Sequence, residues 1–147
     1  MRLSLQVQYA VCGIFDLAYN GQGRPVQVRV IGERQEIPTR YLEQIFQRLR
    51  KAELVISKRG PGGGYTLARP PTEVTLRDIV EAVEGPLEGA PGAEAQPTSE
   101  FRPDFVWPDL ARRMGEVLAE TTLETLCREA ARAAVPRAGA DAYTYQI

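Results

Sequence analysis

The most constraining stretch of the chain is its middle, "IPTRYLEQIFQRLRKAELVISKRGPGGGYTLARP", Ile37 to Pro70. Two hydrophobic periods follow one another there almost without a spacer. Tyr41, Leu42, Ile45, Phe46 and Leu49 recur at helical spacing, while Thr39, Arg40, Glu43, Gln44, Gln47, Arg48 and Lys51 fill the opposite face. Pro38 suits the first helical position. A short β-prone piece, Leu54 to Lys58, then meets "RGPGGG" and a second β-prone piece, "YTLARP". Two strands around a glycine-rich tip predict a hairpin. Glycines beside cations also suggest a phosphate cradle, but such a cradle needs its glycines to open a helix. Here they lead into Tyr65-Thr66-Leu67, no "GK[ST]" follows, and Pro70-Pro71 ends the segment. The glycines therefore read as a hairpin tip.

The flanking segments complete the pattern. Leu3 to Tyr19 carries a helical stripe of Val7, Ala10, Val11, Ile14, Phe15, Leu17 and Ala18, with Ser4 as its N-cap. "NGQGRP" breaks it. Val26 to Arg34 reads as a short second helix with Val28 and Ile31 inward, although Gly32 costs a helix interior about 1 kcal/mol. Only "QEI" separates this helix from the next, the signature of a helix-turn-helix. Thr75 to Val83 predicts another helix, capped by Thr75 with Asp78 in the capping-box position. Gly85 to Asp104 is poor in large apolar residues and holds four prolines, so it reads as a loop. Trp107 to Glu120 is a longer helix with Trp107, Leu110, Ala111, Met114, Val117 and Leu118 on one stripe. Thr121 and Glu124 suggest a fresh capping box and a short helix through Ala134.

The expected fold is therefore mainly α with a small β-hairpin. Residues 1–84 form a winged helix-turn-helix, 85–106 a Pro/Gly-rich loop and 107–135 dimerisation helices, followed by a tail at 136–147.

Composition removes several function classes. The chain has no histidine, so Ser-His-Asp and Cys-His catalysis are excluded and the commonest zinc ligand is missing. No nucleotide motif is present; the chain is not expected to be an enzyme. Two cysteines, Cys12 and Cys127, make no disulfide framework. No apolar run approaches the roughly 20 residues that cross a bilayer, and the N-terminus lacks a secretion signal, so a cytoplasmic protein without membrane contact is expected. The net charge of −1 conceals an asymmetry. Residues 1–70 hold eleven Lys or Arg against five Asp or Glu, and residues 71–147 seven against fourteen. Only the first half is suited to a polyanion.

A winged helix-turn-helix places its third helix in the DNA major groove. Arg40 and Arg48 suit phosphates or guanine, Gln44 suits adenine and Glu43 suits cytosine. The same face is also what an ordinary solvated helix presents. Arg59 at the wing's start suits a narrow minor groove. Gly60, Gly62, Gly63 and Gly64 let the backbone approach phosphates without a Cβ in the way. The stripe Trp107, Leu110, Met114, Val117 and Leu118 is the candidate dimer interface, the alternative being that it packs on its own domain.

The pieces "MRLSLQVQYAV", the middle stretch, "TLRDIVEAVEG" and "WPDL" resemble the Rrf-type family of bacterial winged-helix transcriptional regulators, the family of IscR, NsrR and CymR. The resemblance implies a homodimer on a pseudo-palindromic operator, usually as a repressor. It puts Thr39, Arg40, Tyr41, Glu43 and Gln44 on the recognition helix. It puts Arg59, Gly60, Pro61 and Gly62 on the wing, and Arg2 and Ser4 where the first helix approaches the DNA backbone. Cluster-binding members carry three cysteines in the loop before the dimerisation helix. Here that loop, "PLEGAPGAEAQPTSEFRPDFVW", has none, so no cofactor is expected and no metal site is assigned. Some relatives recruit ligands from the first helix, where this chain has Gln8, a poor ligand, and Cys12. Cys12 is otherwise a core residue or a redox thiol. The signal is left to a small molecule, a partner protein or nothing. The competing class is an interaction module that kept the winged fold and docks on a metabolic enzyme or assembly.

Overall fold

The computed structural model describes residues 3–88 and 99–138. Arg2, the central part of the loop expected at 85–106 and most of the tail expected at 136–147 lie outside the described residues. Helix α1 spans Leu5–Gly21, α2 Val28–Gln35 and α3 Thr39–Lys51. Strands β1 (Val55–Lys58) and β2 (Gly64–Leu67) pair antiparallel, and helices α4 (Leu76–Glu84), α5 (Val106–Ala119) and α6 (Leu123–Arg132) follow. This is the expected mainly α fold with one small hairpin.

One core joins α1 to α4. Val7, Ala10, Ile14 and Leu17 of α1 meet Leu42, Ile45, Phe46 and Leu49 of α3, with Ile79, Val80 and Val83 of α4 and Leu123 of α6 closing the cluster. Phe46 is fully buried at the α1–α3 crossing. A Cβ on Gly13 would lie 3.0 Å from its ring, so this glycine sets how closely the two helices pack.

Tight turns at the helix ends aim the elements. Gly32 is the residue that weakened the second-helix reading, and the structure gives it a purpose. A Cβ there would sit 2.7 Å from the Ile37 carbonyl, and the Ile37 N–H bonds to the Gly32 carbonyl at 3.0 Å. The α2–α3 turn folds onto that bare backbone. At the end of α3, Glu53 adopts a left-handed φ of 60° while Leu54 N–H reaches back to the Leu49 carbonyl at 3.0 Å. This Schellman-type stop sends the chain straight into β1.

Four helix starts differ from the sequence reading, and five ends shift by one or two residues, to Gly21 in α1, Gln35 in α2, Glu84 in α4, Ala119 in α5 and Arg132 in α6. Pro38 is the N-cap of α3, and the first helical residue is Thr39. Val26 is not helical. Its N–H and C=O both pair with Tyr65, at 2.9 and 2.8 Å, so it adds a third edge to the hairpin and α2 starts only at Val28. Helix α5 starts at Val106. The cap of α6 is Thr122, whose Oγ1 accepts from Thr125 N–H at 3.1 Å, and not Thr121. The cause is a short pairing with the segment before α4. Leu76 N–H donates to the Thr121 carbonyl at 2.9 Å and Leu123 N–H to the Val74 carbonyl at 2.7 Å. That pairing keeps the chain extended through Thr122. The cap at Ser4 and the capping box at Thr75 and Asp78 form as read.

Candidate nucleic-acid interface

Helix α3 presents its polar face outward. Arg40, Tyr41, Glu43, Gln44, Gln47 and Arg48 are exposed and Thr39 is half-buried. Arg40 is not a loose side chain: its guanidinium lies 4.8 Å from the centre of the Tyr41 ring, and Nη2 donates to the Tyr41 hydroxyl at 3.1 Å. The stack restrains the cation at the N-terminal end of α3, where a helix entering a groove contacts base edges. Arg48 behaves differently. Its Nη1 donates to the Gln6 Oε1 at 2.9 Å and to the Val83 carbonyl at 3.3 Å, so it leans toward α1 and α4.

The wing follows from its turn chemistry. Gly63 N–H donates to the Gly60 carbonyl at 2.9 Å, with Pro61 second and Gly62, at φ 73°, third. Proline followed by a residue of positive φ is the pattern of a type II turn. Lys58, Arg59, Gly60, Pro61 and Gly62 are exposed at this tip. Gly63 is buried instead, because a Cβ there would collide with the Lys58 carbonyl; its part is to close the hairpin. Gly64, at φ 144°, lies against the Val26 carbonyl and lets the third edge approach. Tyr65 packs on Phe46 at 4.9 Å, which ties the wing to the core beneath α3. Arg50 Nη1 donates to Ser57 Oγ at 3.5 Å, a further link from α3 to β1.

Of the cations outside α3 and the wing, Arg29, Arg34, Arg77, Arg102, Arg112 and Arg113 lie against carboxylates, while Arg24, Arg69, Arg128, Arg132 and Arg137 have none within 4.0 Å among the described residues. Among the described residues, Arg40, Arg48, Arg50, Lys51, Lys58 and Arg59 have none within 4.0 Å. Uncompensated cations thus run from α3 into the wing. Ser4 is less available: its hydroxyl accepts from Val7 N–H at 3.2 Å and donates to the Glu84 carboxylate.

Residues 3–129 match the Rrf2 family, described as "Iron-dependent Transcriptional regulator". The chain belongs to the Rrf2 family. It is 38% identical to the HTH-type transcriptional regulator IscR of Photobacterium profundum over 132 residues, 88% of this chain and 77% of the relative. IscR of T. potens superposes with a TM-score of 0.72 at 35% identity, covering 99% of this chain and 96% of that one. CymR, the global cysteine regulator of B. subtilis, gives 0.71 at 31% identity over 88% and 98%. Like these Rrf2 relatives, the chain is a transcriptional regulator with a DNA-binding winged helix and not an enzyme, and the docking-module alternative is not favoured.

The Rrf2 description names iron, and the donor set of this member does not fit a cysteine-ligated cluster. The chain holds two cysteines and no histidine. Among the described residues, no three His, Cys, Asp or Glu side chains gather as a metal site. Cys12 packs against the core from α1, and Cys127 is half-buried on α6. Burial pushes both thiols above their ordinary pKa, opposed at Cys127 by Arg137, so neither is poised as a thiolate.

The stripe expected to form a dimer interface is only partly free. Trp107, Leu110, Met114 and Val117 are exposed, at 59%, 44%, 39% and 63%. Leu118 packs against the chain's own core. Three features leave no periodic or motif signal in the sequence: the Val26–Tyr65 pairing, the Arg40–Tyr41 stack, and the Arg48 lean toward α1. A β-branched residue just after "GRP" is the one cue to the first of these.

Proposed function

We propose that the chain works in the cytoplasm as a homodimer that binds a pseudo-palindromic duplex site and represses transcription by occupying it. Helix α3 enters the major groove with Arg40, Glu43 and Gln44 facing base edges, and the wing at 57–66 reaches the adjacent minor groove through Arg59. The observation that carries this reading is the run of six cations along α3 and the wing, Arg40, Arg48, Arg50, Lys51, Lys58 and Arg59, with no carboxylate within 4.0 Å among the described residues. Phosphates supply the counter-charge, and each contact made releases counterions. The exposed stripe of α5 supports pairing of two copies, which presents two such surfaces to half-sites a helical turn or its multiples apart. The donor set supports regulation without a cysteine-ligated cluster.

Selection of bound sequences from random duplexes tests the proposal. The expected result is an enriched site with two-fold symmetry. Recovery of unenriched sequence, or of a single unrepeated half-site, contradicts it.

A further inference from the structure

An open groove of about 410 Å³ runs between the first turns of α1 and the outer edge of α3. Tyr9 and Tyr41 line it as a tilted aromatic pair, centroids 6.4 Å apart and inclined at 32°. Leu5 and Ile45 supply aliphatic lining. Leu5 is 59% exposed on the first turn of α1, where a polar side chain would cost nothing. Arg48 lines the same groove. Its guanidinium is held by two neutral acceptors, Gln6 Oε1 and the Val83 carbonyl, and no carboxylate among the described residues lies within 4.0 Å. Glu84, next along the chain from Val83, is engaged by the Ser4 hydroxyl.

A fixed guanidinium beside an aromatic-lined groove specifies a ligand with two parts. The volume is within the range of small-molecule sites. The tyrosine pair and Leu5 suit a planar apolar body, and Arg48 suits a carboxylate, which accepts charge-assisted hydrogen bonds. A DNA phosphate would satisfy Arg48 alone and leave the apolar lining without a partner. We propose that the α1–α3 groove binds a small aromatic carboxylate, its ring packed on the Tyr9–Tyr41 pair and Leu5 and its carboxylate on Arg48, in competition with DNA. The binding site rests on the groove itself. The competition rests on the reading of α3 as the recognition helix, since Tyr41, Gln44 and Arg48 belong to both surfaces. Such a ligand would act as an inducer, releasing a repressor from its operator.

The test is an NMR titration of the full chain with indole-3-acetate and with its neutral analogue indole-3-acetamide, followed by addition of a selected duplex. Indole-3-acetate is expected to shift the signals of Leu5, Tyr9, Tyr41 and Arg48 saturably. The amide is expected to bind about tenfold more weakly, the order lost with one charge-assisted hydrogen bond. Leu5→Glu places a carboxylate in the groove at a helix start that tolerates one. It should weaken indole-3-acetate by a similar factor with an unchanged circular dichroism spectrum. The duplex should displace the probe. Equal binding of the two probes, shifts centred elsewhere, or no saturable shift overturns the site. Duplex binding without probe binding overturns the site and leaves the DNA reading standing. Probe binding with these preferences but no duplex binding upholds the site and overturns the DNA reading, and with it the competition. Simultaneous binding of both overturns the competition alone.

Discussion

Arg34 clamps Asp16 from the end of α2, with guanidinium-to-carboxylate contacts of 2.5 to 3.2 Å. Gln35 Nε2 adds a further bond at 2.9 Å. Asp16 is fully buried on α1, while the Arg34 side chain is 29% exposed. The pair therefore fixes the angle between α1 and the helix-turn-helix. The two partners should not be equivalent on removal. Arg34→Ala leaves a buried carboxylate without its cation and should cost about 3–5 kcal/mol. Asp16→Asn keeps the shape and leaves a cation that reaches water, so its cost should be smaller. Urea denaturation of both variants checks this, and a larger loss in Asp16→Asn would contradict it.

The Val26 edge makes the wing a supported element rather than a free ribbon. Gly64→Ala would drive a Cβ into the Val26 carbonyl, at a φ that L-residues rarely adopt. We expect about 1–3 kcal/mol of destabilisation, the order for strained backbone, together with weaker DNA binding. Thermal melting and a duplex titration of the same sample read both. Unchanged values in each would show that the third edge does not support the wing.

The helical parts of the fold were legible because periodicity reports burial directly. Leu42, Ile45, Phe46 and Leu49 were read from spacing and are buried. The capping box at Thr75 was legible because its two partners are three residues apart. The contacts that position the site were not. Val26 with Tyr65, Asp16 with Arg34, and Arg48 with Gln6 join residues far apart in sequence, and their partners are fixed only once helices pack. The slip from Thr122 to Thr121 has the same origin, since pairing with Val74 and Leu76 decides where α6 begins. Exposure of Arg40 and Arg59 followed from pattern; the stack that restrains Arg40 on Tyr41 did not.

The exposed stripe on α5 predicts a dimer that a single charge breaks. Met114→Asp would bury a carboxylate in the proposed interface while changing a residue already exposed in one chain. Sedimentation equilibrium should show a monomer with unchanged helix content. A dimer of wild-type stability in this variant would place the interface elsewhere.

The cysteines should be slow rather than reactive. Burial raises the Cys12 and Cys127 thiols above their ordinary pKa, so at pH 8 less thiolate is present than in free cysteine. Iodoacetamide should modify the folded protein more slowly than free cysteine, with the rate recovering in urea and rising with pH. Protein produced with iron and sulfide supplied should be colourless. Rapid alkylation at Cys12, or a visible absorption band, would reopen redox or cluster sensing.

The most direct test is the dependence of duplex affinity on salt concentration, measured for the wild type and Arg59→Ala. Phosphate contacts along α3 and the wing should give a linear fall of log K with log salt, about 0.9 per phosphate neutralised and steep enough to imply several. Arg59→Ala should lower that slope by about one and weaken binding. A flat dependence in the wild type, or no binding to duplex DNA at low salt, would contradict the claim that this basic face meets DNA.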